Sequence, residues 1–156
     1  MEKILVTGGV SAFAQRVITL FPHDQFVLAD SHAIPSPLLQ SGNYIQIPAP
    51  DEPVFVHELL KRCLDLGISL VIPLRKGELL PLAQSKPLFE EYGIIILLPD
   101  IDHLQELPIL SNPTHRNCPH ILANKSKVAP HDGEPAILPG IYGHGENGEY
   151  LLCCIT

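Results

Sequence analysis

Along roughly the first hundred residues, short apolar runs alternate with segments whose apolar residues recur every three to four positions. That is the pattern of strands alternating with helices. Lys3 to Thr7 is a β-rich run ending in Gly8 and Gly9, and Phe13, Val17, Leu20 and Phe21 follow at the spacing of one helix face. Gln25 to Ala29 is a second apolar run, closed by Asp30, and Asn43 to Ile47 is a third. The Pro/Ser segment around Ile34 to Ser41 leaves no long helix between those two, so this crossover is expected to be reduced. Val56, Leu59, Leu60 and Cys63 then mark a buried helix face. Asp51 is expected to cap that helix, with Pro53 in its first turn and Gly67 closing it.

Ile68 to Pro73 is almost wholly apolar, as expected for a parallel strand covered on both faces. Glu78 to Tyr92 has a helical pattern that Pro87 should kink or split. Gly93 ends it before a fifth strand, Ile94 to Leu98. Five strands joined by right-handed crossovers predict an α/β fold, a Rossmann-like doubly wound parallel sheet in the order 3-2-1-4-5.

The pattern changes after about residue 107. Six of the 16 prolines lie between Pro108 and Pro139, and no helical period persists there, so residues 108–156 are expected to wrap the 1–107 domain as a loop. Ala136 to Tyr142 and Glu149 to Ile155, flanking Asn147-Gly148, predict a closing β-hairpin. Its apolar residues Ile137, Leu138, Ile141, Leu151, Leu152 and Ile155 must bury against something. The alternatives are the remainder of the chain or, through an exposed edge, a second copy in a homodimer.

Composition narrows the classes. With 46% hydrophobic and 17% charged residues, 156 residues can fill one domain core. Ten basic against 17 acidic residues give a net charge of −7 without a basic run, which disfavours nucleic acid as a partner. Mean hydropathy is +0.19, yet the longest apolar stretch, Gly93 to Pro99, is far below the roughly 20 residues that cross a bilayer. No membrane association is expected. Gly8, Gly9, Gln15 and Arg16 interrupt any signal-peptide core, which points to a cytoplasmic protein. Cys63, Cys118, Cys153 and Cys154 form no CxxC pair and are expected to be reduced. Neighbours Cys153 and Cys154 should face opposite sides of a strand, with at most one buried.

Candidate chemistry gathers at the strand ends. The loop Thr7-Gly8-Gly9-Val10-Ser11 opens a helix where backbone N–H groups favour an anion, and Asp30 lies at the spacing of a ribose-binding acid. Val10 and Phe13 stand where the dinucleotide fingerprint needs glycine, and no Tyr-xxx-Lys pair follows Tyr44, Tyr92, Tyr142 or Tyr150. A nicotinamide-dependent oxidoreductase is therefore the alternative, not the main reading. Arg75, Lys76 and Glu78 follow the fourth strand on the same rim. Arg75 suits a carboxylate or phosphate, and Glu78 suits an amine. Ser11 has no His/Asp partner pattern for nucleophilic catalysis. His115, Cys118 and His120, with His103, His131, His144, Cys153 and Cys154 as further donors, match no familiar zinc spacing. No metal and no cofactor are expected.

Ile4-Leu5-Val6-Thr7-Gly8-Gly9, Val27-Leu28-Ala29-Asp30, Tyr44-Ile45-Gln46-Ile47-Pro48, Leu70-Val71-Ile72-Pro73 with Glu78-Leu79, and Gly93-Ile94 to Pro99-Asp100 together resemble one known unit. It is the pre-ATP-grasp domain, the Rossmann-like N-terminal domain of carbamoyl-phosphate-synthase-like ATP-grasp ligases. The resemblance covers roughly residues 1–105. It implies that Gly8, Gly9, Asp30 and Glu78 face a cleft that helps hold the non-nucleotide substrate. In such ligases a separate ATP-grasp fold holds ATP and magnesium and joins a carboxylate to an amine. Here Pro108, Pro113 and a short hairpin follow instead of the helix and Asp-Lys pair that lead into that fold. The expectation is a domain that is non-catalytic by itself. It would bind a small carboxylate or nucleotide-like ligand, or dock on a separate ATP-grasp protein. A purely structural self-association module is the remaining class.

Overall fold

The computed structural model describes residues 2–125, 138–145 and 147–156. In chain order the first part runs β1 (Lys3–Val6), α1 (Ala12–Ile18), β2 (Gln25–Asp30), α2 (Ser36–Gln40), β3 (Tyr44–Gln46), α3 (Phe55–Leu66), β4 (Leu70–Ile72), α4 (Lys76–Gln84), α5 (Lys86–Glu91) and β5 (Ile95–Ile96). The five strands form one parallel sheet ordered β3-β2-β1-β4-β5, the expected Rossmann-like arrangement. Strand alternation sends Ile4 and Val6 to one face, with Phe13, Ala14 and Val17 of α1, and Leu5 to the other, with Phe55, Leu59, Leu82 and Phe89 of the later helices. Both faces are therefore covered, and β4 is buried throughout.

Local chemistry accounts for most element ends. Ser11 caps α1 by accepting from the Ala14 N–H, and Gly67 closes α3 in the left-handed region at φ +69°. The helical segment after β4 divides at Ser85, which leaves Pro87 in the first turn of α5, where its missing N–H costs nothing. Asp51 is not the cap of α3. Val54 occupies that position, with no side-chain bond to the helix.

Residues beyond the sheet depart further from expectation. After α6 (Ile101–Leu104) come β6 (Ile109–Ser111), β7 (Ile121–Asn124), β8 (Gly140–His144) and β9 (Tyr150–Cys154). They form a four-stranded sheet ordered β6-β9-β8-β7, where a loop and a hairpin were expected. β8 and β9 are the predicted hairpin strands, and β6 and β7 flank them. Ala136, Ile137 and His131 lie outside the described residues. This second sheet shares both cores: Tyr142, Leu152 and Cys154 join one, and Cys118, Ile141, Cys153 and Ile155 join the other. Cys153 and Cys154 still alternate across β9, yet both are buried, because an interior strand of a sheet covered on both sides has no solvent face. All four cysteines are free thiols. No helix among the described residues is long and apolar enough to cross a membrane.

Candidate functional site

The first sheet reverses its winding direction between β1 and β4, and the crevice at the carboxyl ends of those strands is where such sheets hold ligands. All six residues singled out from the sequence lie at this rim: Gly8, Gly9 and Ser11 on the loop after β1, Asp30 at the end of β2, Arg75 on the loop after β4 and Glu78 in the first turn of α4. The loop after β1 is closed on itself. The Gly9 N–H donates to Ala29 O at 2.9 Å, Val10 N–H to Asp30 Oδ2 at 3.1 Å and Ser11 N–H to Gly8 O at 3.0 Å. The Ser11 hydroxyl donates to Gly8 O at 2.6 Å while it caps α1. Donors that would cradle a phosphate thus already have acceptors within the protein.

The two glycines answer different demands. A Cβ on Gly9 would stand 2.8 Å from Leu28 Cβ and 3.1 Å from the Ala29 nitrogen, so only glycine lets the loop lie against β2. Gly8, at φ +62°, leaves the space above β1 that Ile155 and Arg75 cross. A Cβ there would meet Ile155 Cδ1 at 2.7 Å.

Arg75 spans the end of β1 to reach Asp30 at the end of β2. Its Nε donates to Oδ1 and its Nη2 to Oδ2, each at 2.9 Å, a two-pronged pair in which Asp30 is solvent-inaccessible. Asp30 also accepts from the His32 N–H at 2.9 Å. Burial pushes the Asp30 pKa up, but the Arg75 hydrogen bonds, the His32 and Val10 N–H groups and the Arg75 charge together hold it below 3.8. The remaining Arg75 prong, Nη1, donates to the Thr156 main-chain oxygen at 2.9 Å. There the chain following β9 runs parallel to the chain following β4. The Lys76 N–H donates to Ile155 O at 2.8 Å and the Ile155 N–H to Leu74 O at 2.7 Å. Lys76 itself points to solvent.

Glu78, in the first turn of α4, is fully buried, and neither carboxyl oxygen makes a well-formed hydrogen bond with the described residues, although the Thr7 hydroxyl lies close enough to donate. Burial raises its pKa to about 7, against the downward pull of the neighbouring Thr7 hydroxyl and of Arg75, while Asp30 adds to the rise. Thr7 accepts from the Leu74 N–H at 2.8 Å and so ties the ends of β1 and β4 together.

Sequence reasoning placed these residues on one rim but missed their mutual pairing. Asp30 and Arg75 are 45 positions apart, at the end of β2 and on the loop after β4, with β1 between those strands, and only the strand order brings them within reach. It placed Thr7 in the glycine loop without its tie to Leu74, and it missed the Ile155-Thr156 segment as part of the rim. The one signal for the latter was that Ile155 had to be buried. The Cys118 thiol lies beside that of Cys153 in the core while His115 and His120 are exposed, and no three His, Cys, Asp or Glu side chains among the described residues stand together as metal ligands. No protein-family model matches the chain, and no curated protein matches it.

Proposed function

We propose that the chain is a pre-ATP-grasp-like domain, non-catalytic by itself, that binds a small carboxylate bearing an amine or hydroxyl at the rim of Gly8, Gly9, Ser11, Asp30, Arg75 and Glu78. The observation that carries this reading is Glu78, a buried carboxyl to which the neighbouring Thr7 hydroxyl makes no well-formed hydrogen bond, one helical turn from a guanidinium at the switch point. Leaving such a group unpaired costs about 1–3 kcal/mol or more, which a ligand donor would recover. Arg75 offers the complementary half. The Thr156 oxygen now occupies the position on Nη1 that a ligand carboxylate would take. Binding therefore requires Ile155 and Thr156 to withdraw, and the same withdrawal would open the rim to a separate ATP-grasp protein.

A nucleotide-like ligand is the weaker version, because the loop N–H groups that would hold its phosphates are already bonded to Ala29, Asp30 and Gly8. The nicotinamide alternative meets the same obstacle. A thermal-shift screen of amino acids, other small carboxylates, nucleotides and NAD(P) tests the proposal. A carboxylate at 100 times its Kd should add about 2.7 kcal/mol of stability. Selective stabilisation by NAD or NADP would instead favour the oxidoreductase.

A further inference from the structure

Away from the rim, the four free cysteines divide between the two cores, Cys63 and Cys154 in one, Cys118 and Cys153 in the other. The second two meet. Cys118 Sγ fills the space that a Cβ on Gly143 would need, and Cys153 Sγ stands 3.3 Å from the same point, so both sulfurs lie over one glycine of β8. Neither S–H is spent on the other sulfur. Cys118 Sγ donates to His120 O at 3.4 Å and Cys153 Sγ to Leu151 O at 3.8 Å. One turn of chain separates the pair from solvent: Cys118 is buried, while Thr114 to Asn117 before it and Pro119 and His120 after it are exposed. A cation attends them. Arg16 Nη2 donates to Cys118 O at 2.8 Å, and Arg16 Nη1 is buried with no acceptor among the described residues. Burial, and after it the Cys118 thiol, push the Cys153 pKa up to about 12, with the Arg16 charge pulling the other way.

We infer that Cys118 and Cys153 are a redox modification site, at which a small hydroperoxide converts the two thiols into a disulfide that pins the turn before β7 to β9. Cys118 reacts first, because it sits on the turn whose local opening admits the oxidant, whereas Cys153 lies within an interior strand. The electron pair of its thiolate forms an S–O bond as the O–O bond of hydrogen peroxide breaks, giving a sulfenic acid and, with the thiol proton, one water. The Cys153 sulfur then displaces the hydroxyl, which leaves with the second thiol proton as another water. Two thiols lose two electrons, and peroxide gains them. The guanidinium beside the pair lowers the cost of the thiolate that each step needs. Burial keeps the reaction slow and holds bulkier reagents out.

Prolonged exposure of native protein to hydrogen peroxide, followed by unfolding, alkylation of the remaining thiols and mass analysis, tests the inference. Two of the four thiols should be lost to labelling, with a crosslink mapped to Cys118 and Cys153. Dithiothreitol should restore all four. The oxidised protein should also melt about 5 °C or more above the reduced one. Cys63→Ala/Cys154→Ala keeps the pair and should form the same crosslink, whereas Cys118→Ser should leave its three remaining thiols open to labelling. Retention of all four thiols in the wild type, sulfinic or sulfonic acid at either position in place of the crosslink, or a crosslink to Cys63 or Cys154 would each overturn it.

Discussion

At the scale of single residues, Glu78 and Asp30 impose opposite pH dependences on stability. The folded-state pKa of Glu78 is raised to about 7 from 4.5, so its contribution is intact below about pH 4.5 and is lost as pH rises through 7, when a buried carboxylate must form. A shift of this size corresponds to about 3 kcal/mol at most. Glu78→Gln should therefore be more stable than the wild type at pH 8 by about 1–3 kcal/mol, and the difference should shrink towards pH 5, as read by urea denaturation. Asp30 works the other way. Its lowered pKa gives stability that is present above 3.8 and lost on acidification. Arg75→Ala leaves Asp30 buried and unpaired, and should cost about 3–5 kcal/mol. Adding Asp30→Asn should restore part of that, again by denaturation. The thiols of Cys63 and Cys153 are both pushed up to about 12 by burial. Native protein should accordingly resist a thiol reagent at pH 8 that labels all four cysteines in denaturant, and rapid native labelling would contradict their burial.

At the scale of elements, β9 joins the two sheets. It pairs with β6 in parallel and β8 antiparallel, and its continuation bonds to the chain after β4. Removing residues 150–156 takes Leu152, Cys153, Cys154 and Ile155 out of both cores. The truncated protein should aggregate or lose its cooperative melt by light scattering and calorimetry, and a wild-type melting temperature would show that the strand is dispensable. The five parallel strands were legible because each is a compact apolar run punctuated by glycine, proline or aspartate. β6 and β7 were not. They have three and four residues, and Pro108, Pro113 and Pro119 flank them so closely that the whole stretch reads as loop. Likewise the composition of the Gly8-Gly9 loop suggests an anion cradle, whereas its geometry spends those N–H groups on β2 and on the loop itself. Gly9→Ala would for that reason read out packing against Leu28 rather than ligand affinity.

At the scale of the whole molecule, the chain following β9 closes the crevice of the first sheet with Ile155 and Thr156. If the domain is non-catalytic by itself, as proposed, the purified protein should show no ATP hydrolysis or ligation with candidate carboxylates and amines. Turnover by purified protein that is lost in Glu78→Gln would reveal an enzyme. The proposed function places a small carboxylate at the rim. Amide NMR spectra recorded while amino acids and small carboxylates are titrated into the protein test it most directly. Saturable shifts centred on Gly9, Asp30, Arg75 and Glu78 are expected, with the Ile155 and Thr156 signals changing as their contacts with Arg75 break. Saturable shifts confined to residues away from the rim, or no saturable shift with any carboxylate, would contradict it.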